Sequence, residues 1–346
     1  MIQLLNFLND VAKSNLSLLH APYKLNFCIT YICQSRCLTC NIWQRRPKGE
    51  LTLEEIQSLA KNSPFVKWLQ ITGGEPFVRS DIDKIAQAFA KNLYILSIPT
   101  NSLCDTRMVK EKVKSILSFG IPNFVLTLSL DGYEQLHDTI RGVHGNFRRV
   151  IETYNSLEGL QSKHFKIVFG YTMSRMNEGK LAETIQRMTR LLPQISADDF
   201  HLNLAQNSGN YYENLENDIT PNKQVAIAEL KQFLPMRSNS FNKFNFIETR
   251  FVKGLISFSE SGKSPLLTKE LESSCFLDSF GHVYPSIMWD ESIGNIRQSG
   301  YDLRKLWYNN KAQEICDVIK NGGSPQHWTS CESYQTMLGH LFSGVV

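Results

Sequence analysis

Over the first two thirds of the chain, short runs rich in β-branched and aromatic residues alternate with stretches where apolar residues recur every three or four positions. The runs predict strands over residues 24–31, 66–72, 94–99, 123–130, 166–172 and 200–204. Helical spacing predicts helices over about 52–61, 81–92, 106–119, 146–160 and 178–192. Thr52 with Glu55 three residues later is a capping-box pattern, which fixes the first of these starts. Strand and helix in strict alternation at this spacing predict an α/β fold, a parallel sheet with helices outside. Six repeats are visible rather than eight, so the expectation is a partial (β/α)6 barrel.

The rhythm changes after residue 204. A polar stretch rich in Asn and Tyr (207–217) leads to a helix at about 221–233, a Ser/Asn-rich segment at 237–245 and a helix from 246 to 260. Gly, Ser and Pro punctuate residues 261–265, and a short tail follows. The expected organisation is an N-terminal helix (1–23), the barrel core (24–235) and a small C-terminal α+β extension (236–346). At the N-terminus Ile2, Leu5, Leu8, Val11 and Leu16 fall at helical spacing, but Asp10 and Lys13 interrupt any apolar run. That pattern reads as an amphipathic helix lying on the barrel, not a signal peptide or membrane anchor. No apolar stretch reaches the ~20 residues a membrane span needs, so a soluble cytoplasmic protein with no membrane partner is expected.

Composition changes this picture little. With 42% hydrophobic and 20% charged residues among 346, the chain can bury a large core. A formal charge of +4 with scattered basic residues does not make a nucleic-acid groove. The densest basic run, Arg45-Arg46-Pro47-Lys48, reads as a solvated loop.

The cysteines change it a great deal. Of eight, Cys33, Cys37 and Cys40 crowd into a C-x3-C-x2-C array directly after the first predicted strand. Such crowding points to metal or redox chemistry in a reducing compartment, not to disulfides. Iron and zinc sites normally take four ligands, and no histidine lies close enough in sequence to be the fourth. For structural zinc the shortage is a defect, whereas a four-iron cluster gains one open iron for a ligand. Unrelated buried cysteines and a zinc site are the competing readings.

The stretch Cys33-Gln-Ser-Arg-Cys37-Leu-Thr-Cys40 resembles the signature of the radical SAM superfamily, and the resemblance extends over about residues 24–205. Gly73-Gly74-Glu75-Pro76 ends the second strand and resembles that family's methionine-binding turn. Thr100-Asn101 ends the third strand and Ser129-Leu130-Asp131-Gly132 the fourth, followed by His137-Asp138 and Arg141-Gly142. These segments sit at the C-terminal ends of strands, where a parallel barrel gathers its functional groups. Their chemistry suits the ligand: glycines admit a close backbone, Glu75 accepts from an ammonium, and Arg141 grips a carboxylate. Asn101, Ser129 and Asp131 are types suited to ribose hydroxyls. The family usually carries an aromatic residue just before the third cysteine, beside the adenine. Here it is Thr39, and Trp43 is the ring nearest in sequence able to compensate.

The resemblance implies one [4Fe-4S] cluster on Cys33, Cys37 and Cys40. It also implies reductive cleavage of S-adenosylmethionine to a 5′-deoxyadenosyl radical, and an external electron donor such as a flavodoxin or ferredoxin. The tail resembles the twitch or SPASM extension, with Cys275, a hairpin turn at Gly281, Tyr284-Pro285 and Cys331. Ser286, Ser324 and His327 stand where that extension usually has cysteine, so the second cluster is expected to be lost. The other reading is an unusual site of Cys275, His327 and Cys331, with Cys316 recruited; Cys28 and Cys104 read as core residues. Family analogy makes the substrate a peptide or a polar small molecule. The alternatives are a cluster-binding scaffold without turnover and a zinc module.

Overall fold

The computed structural model describes residues 2–238 and 243–342, so residues 239–242 of the Ser/Asn-rich segment lie outside the described residues. After α1 (Ile2–Asn15) come β1 (Lys24–Thr30), α2 (Leu53–Asn62), β2 (Trp68–Gly73), α3 (Ile82–Ala90), β3 (Ile95–Thr100) and α4 (Thr106–Ser118). Then follow β4 (Asn123–Ser129), α5 (Gln135–Arg141), α6 (Asn146–Leu157), β5 (Phe165–Met173), α7 (Leu181–Leu191) and β6 (Phe200–Leu204). The six strands pair in parallel in the order β6-β5-β4-β3-β2-β1, each within two residues of its expected ends. The expected capping box forms, Thr52 accepting from the Glu55 amide while the Glu55 carboxylate accepts from the Thr52 amide at 2.9 Å.

Alternation along the strands separates two environments. On β3 to β5 one parity is fully buried: Leu96 and Ile98, Leu126 and Leu128, Ile167 and Phe169. These side chains meet the helices and form the main core. The other parity is smaller and more polar (Ser97, Thr127, Ser129, Gly170, Thr172, Asn203) and is only half-buried. The sheet therefore has a dry outer face and a concave inner face of hydroxyls, amides and small residues, open toward the strand ends.

The tail does not stand apart from this sheet. It contains α8 (Lys223–Phe233), α9 (Lys243–Ser261), β7 (Ser274–Leu277), β8 (His282–Tyr284) and β9 (Gly294–Asn295), then α10 (Leu303–Trp307), α11 (Asn310–Lys320) and α12 (Ser330–Leu338). β7 pairs in parallel with the outer edge of β1, and β8 and β9 continue antiparallel, which makes one sheet of nine strands. Gly281 closes the expected hairpin at φ 93°. α10 and α11 are separate helices because Asn309 interrupts the run and caps α11 by accepting from the Ala312 amide at 2.8 Å.

α12 was not legible as a helix, and it covers the inner face at the start of β1 and β2. Lys24 donates to the Cys331 carbonyl and to Gln335 Oε1 at 2.9 Å. Asn26 donates to Glu332 Oε1 at 2.6 Å, and the Ser274 hydroxyl donates to the other Glu332 oxygen at 2.6 Å. Burial pushes Lys24 down to about 8 and Glu332 up to about 7, each drawn back by the other's charge. α12 thus closes the bottom of the open barrel with a buried, hydrogen-bonded polar layer.

The approach to α12 depends on Trp328, whose indole N–H donates to the Phe251 carbonyl at 3.0 Å. The indole lies on Gly254 of α9 so closely that an added methyl would overlap its ring atoms. Gly254→Ala should therefore destabilise the protein by about 1–3 kcal/mol through overpacking, read as a lower urea midpoint at unchanged slope. An unchanged midpoint would mean that Trp328 moves freely and that the tail is not packed as described.

Candidate active site at the strand ends

The three-cysteine loop leaves β1 and is clamped from two sides. On one side the Arg36 amide donates to the Arg141 carbonyl at 3.0 Å and the Leu38 amide to Ile140 at 2.9 Å, which ties the loop to the end of α5. Gly142 caps α5 in the left-handed region (φ 65°), and any side chain there would strike the Arg36 backbone. On the other side stands the Asn-rich stretch. Asn214 donates to the Thr39 carbonyl at 2.8 Å, Asn217 to Leu38 at 3.0 Å, and the Asn41 amide to the Tyr212 carbonyl at 2.9 Å. Tyr211, buried behind it, donates to the Gly73 carbonyl at 3.1 Å.

Sequence reasoning missed these asparagines and tyrosines as site residues. Their only signal was an unusual density of Asn and Tyr. They saturate the carbonyls that a loop free of regular structure leaves exposed.

Gly73 and Gly74 sit where β2 runs into that loop. Gly73 has φ 141°, and a side chain on it would meet the Thr30 carbonyl and, at 3.3 Å, Cys28 Sγ. A side chain on Gly74 would meet the Ile32 carbonyl and, at 2.9 Å, Cys33 Cβ. The close approach expected of these glycines is thus made to the cluster loop's own backbone. Pro76 starts a short 3-10 turn (Pro76–Val78), with Glu75 accepting from the Phe77 amide at 3.1 Å.

Glu75 is fully buried. It also accepts from the Thr100 hydroxyl at 2.9 Å and the Asn101 amide at 2.6 Å, which joins the ends of β2 and β3. Burial pushes its carboxyl up to about 7 against those hydrogen bonds and the Arg141 charge. Asn101 in turn donates to Ser35 Oγ at 3.0 Å and lies 3.7 Å from Cys33 Sγ.

Ser129 lies on the half-buried inner face at the end of β4, opposite Gly170. Asp131 pairs with Arg141 at 2.7 Å and accepts from the Thr172 amide at 2.9 Å. Arg141 is held there with its other end 3.8 Å from Cys37 Sγ, placing its charge beside the thiol rather than in solvent. His137 accepts from the Asp131 amide at 3.1 Å, and burial together with the Arg141 charge pushes it down to about 3, so its imidazole is neutral.

The three thiols are half-buried, and Cys37 is close enough to act on the other two. Burial foremost, then Cys37, pushes Cys33 up to about 12, and burial likewise raises Cys37 and Cys40. As free thiols they hold their protons at neutral pH, and iron would have to displace them. Among the described residues no three His, Cys, Asp or Glu side chains converge on one point that could hold a single ion. A cluster of several irons spreads its anchors over its corners, and the buried Arg141 offsets the negative charge that three thiolates bring. The residues present therefore fit a cluster better than a lone zinc ion.

The tail positions are occupied otherwise. Cys275 is buried in the core on β7. Cys331 accepts from the Gln70 amide at 3.3 Å, and His327 binds Glu270 at 2.8 Å. Cys316 lies half-buried on α11. The structure does not bring Cys275, His327 and Cys331 together as a ligand set.

An open parallel α/β barrel with a clamped three-cysteine loop at its strand ends is an architecture built around a cofactor. Residues 27–188 match the model of the Radical SAM superfamily. The chain carries a Radical SAM superfamily domain, and the protein is an enzyme of radical SAM type. It is similar to the AdoMet-dependent heme synthase of Methanosarcina barkeri, 25% identical over 317 residues, covering 85% of this chain and 84% of that protein. It is also similar to the pre-heme d1 synthase of Dinoroseobacter shibae, 21% identical over 75% of this chain and 66% of that protein. Its fold is like that of anSMEcpe with bound AdoMet (TM-score 0.61, 18% identity, 86% of this chain and 84% of that one). The Streptococcus suis protein SuiB bound to its precursor peptide SuiA is alike too (TM-score 0.61, 15% identity, 95% and 73%). Among the described residues no helix is long and apolar enough to cross a membrane.

Two outcomes follow from this geometry. In Glu75→Gln the amide group must face either Asn101 N–H or the Thr100 and Phe77 donors, so one buried donor loses its acceptor. Stability should fall by about 1–3 kcal/mol in urea denaturation, and an unchanged value would mean that the three donors find other partners. In the tail, burial alone would lower His327, yet the hydrogen bond and charge of Glu270 raise it above the ordinary 6.5. This pair's contribution is complete below pH about 6.5 and is lost as pH rises through the higher folded value. Urea denaturation between about pH 6 and 9 should show that decline, and His327→Gln should flatten it.

Proposed function

We propose that Cys33, Cys37 and Cys40 hold one [4Fe-4S] cluster and that the enzyme cleaves S-adenosylmethionine reductively to abstract hydrogen from its substrate. The observation that carries this reading is the clamped loop itself. Three half-buried thiols lie on one loop, Cys37 beside Arg141, and the ends of β2 and β3 close on that loop through Gly73, Gly74 and Glu75. A cluster held by Cys33, Cys37 and Cys40 would supply the one electron that cleavage of S-adenosylmethionine to methionine and a 5′-deoxyadenosyl radical requires.

The chain's own residues do the rest. Backbone carbonyls around Gly73, Gly74 and Glu75 are the acceptors near the loop for an ammonium, because the Glu75 carboxylate is spent on Phe77, Thr100 and Asn101. Arg141 shares its charge between Asp131 and the cluster side, where a carboxylate of the ligand has a partner. Ser129 stands on the half-buried inner face, where a ribose hydroxyl can be met, while Asn101 and Asp131 are buried beside it and engaged by Ser35, Arg141 and Thr172. A flavodoxin or ferredoxin delivers the electron from outside.

The substrate is a peptide or a polar small molecule. Relatives named for haem-type synthesis span most of this chain, while SuiB holds a precursor peptide. The tail keeps a packed fold without a second cluster, since His327 and Cys331 are engaged by Glu270 and Gln70.

Anaerobic reconstitution tests the reading by iron count and 5′-deoxyadenosine release under dithionite. About four irons per chain are expected. Alanine at Cys33, Cys37 or Cys40 should abolish both cluster and release, while Cys275→Ala and Cys331→Ala should keep the iron. A cysteine-loop variant that retains full iron and still releases 5′-deoxyadenosine would sink the assignment, and a count near eight would restore the second cluster.

A further inference from the structure

The basic run that reads as a solvated loop in the sequence is folded back beside the cluster loop. Residues 32–36 and 43–48 form the two walls of a cleft of about 540 Å³. Ile32, Trp43 and Pro47 give it apolar wall, and Cys33 lies in the same wall. Four cations reach it, and one of them is spent: Arg45 pairs with Glu213 at 2.8 Å and stacks on Tyr31 at 3.9 Å. Arg36, Arg46 and Lys48 are exposed, and among the described residues none forms an ion pair with a carboxylate. Arg46 is also fixed in place, donating to the carbonyls of Trp43 at 3.0 Å and Arg45 at 2.9 Å.

Three unneutralised cations around an apolar concavity call for an anion with an apolar body. S-adenosylmethionine does not fit that demand, since its sulfonium and ammonium outweigh its one carboxylate. A protein electron donor is a poorer match than a small molecule, because the feature is a concave cleft in the size range of ligand pockets rather than a broad face. Cys33 in the wall puts whatever binds here next to the loop where the radical would be generated.

We propose that this cleft is the carboxylate-recognition part of the substrate site: Arg36, Arg46 and Lys48 bind the carboxylates of a polyanionic substrate whose apolar body lies against Ile32, Trp43 and Pro47. Guanidinium groups at two of the three positions suit carboxylates in particular. A carboxylated tetrapyrrole and an acidic peptide with aromatic residues are the two sources of this chemistry. The inference rests on the radical reading for the word substrate, but binding itself does not require cleavage.

The test uses the reconstituted full-length protein, two substrate probes and oxidised flavodoxin. Coproporphyrin III is titrated by the shift of its main visible band, and a labelled peptide of alternating glutamate and phenylalanine by fluorescence polarisation. One of them should bind, and Arg46→Glu with Lys48→Glu should weaken it about tenfold or more per reversed charge. Arg36→Gln should weaken the same probe, and Arg46→Gln with Lys48→Gln serves if the reversed protein does not fold. Iron content and circular dichroism report whether each variant is intact. Porphyrin affected assigns the tetrapyrrole source, peptide affected assigns the peptide source. The proposal is overturned if neither probe binds or if the substitutions leave affinity unmoved. It is equally overturned if they weaken only the binding of oxidised flavodoxin, which would make the patch a donor-docking face. Failure of the radical reading appears separately, as no 5′-deoxyadenosine under dithionite from a protein that still binds its probe.

Discussion

The site depends on how closely the ends of the first two strands can run together. β2 finishes against the carbonyls of Thr30 and Ile32, and only residues without a side chain fit at Gly73 and Gly74. That contact brings the Glu75 amide to the Ile32 carbonyl at 2.9 Å and so sets where the cysteine loop begins. Because the turn is fixed, Glu75 reaches across to Thr100 and Asn101, and Asn101 reaches back to Ser35 inside the loop. The ends of three strands and the loop form one closed circuit of hydrogen bonds. An alanine at either glycine would push the circuit open at its tightest point, whatever happened to the cysteines.

Much of this was legible in the sequence because it obeys local rules. The six strands and most of the helices follow from periodicity, and the capping box at Thr52 places α2 to within a residue. The cysteine array and the glycine pair were visible as patterns. Their real partners were not, since those are set by which strand ends become neighbours. Glu75 offers a carboxylate to a ligand when read alone, but in the fold three donors claim it. Arg141 likewise is held by Asp131 before any ligand arrives.

What escaped the sequence escaped for identifiable reasons. α12 carries Glu332, Gln335 and Thr336 on its buried side, so its polarity pattern is that of a surface helix turned inward. A binary reading of apolar and polar positions cannot find such an element. β7 looked like half of a separate hairpin, yet it adds to β1 in parallel, a pairing that nothing local encodes. The Asn-rich stretch read only as a polar loop because its asparagines satisfy carbonyls of another loop. Each of these elements is specified by its partner, and each partner lies far away in sequence.

The tail also explains why an open barrel can tolerate a polar interior. A six-stranded sheet leaves a gap at its floor, and an apolar plug would have met Lys24, Asn26 and Gln70 with nothing to offer their polar groups. α12 instead supplies Glu332, Gln335 and the Cys331 sulfur and carbonyl to those side chains. Burying charge in this way is costly unless the groups are hydrogen-bonded, and Gln335 links the two, accepting from Lys24 and donating to Glu332. The same polar lining then continues upward on the inner face as Ser97, Thr127, Ser129, Thr172 and Asn203, with Val125 and Val168 of the same parity adding apolar surface. Small side chains on that wall leave room near the strand ends for a substrate.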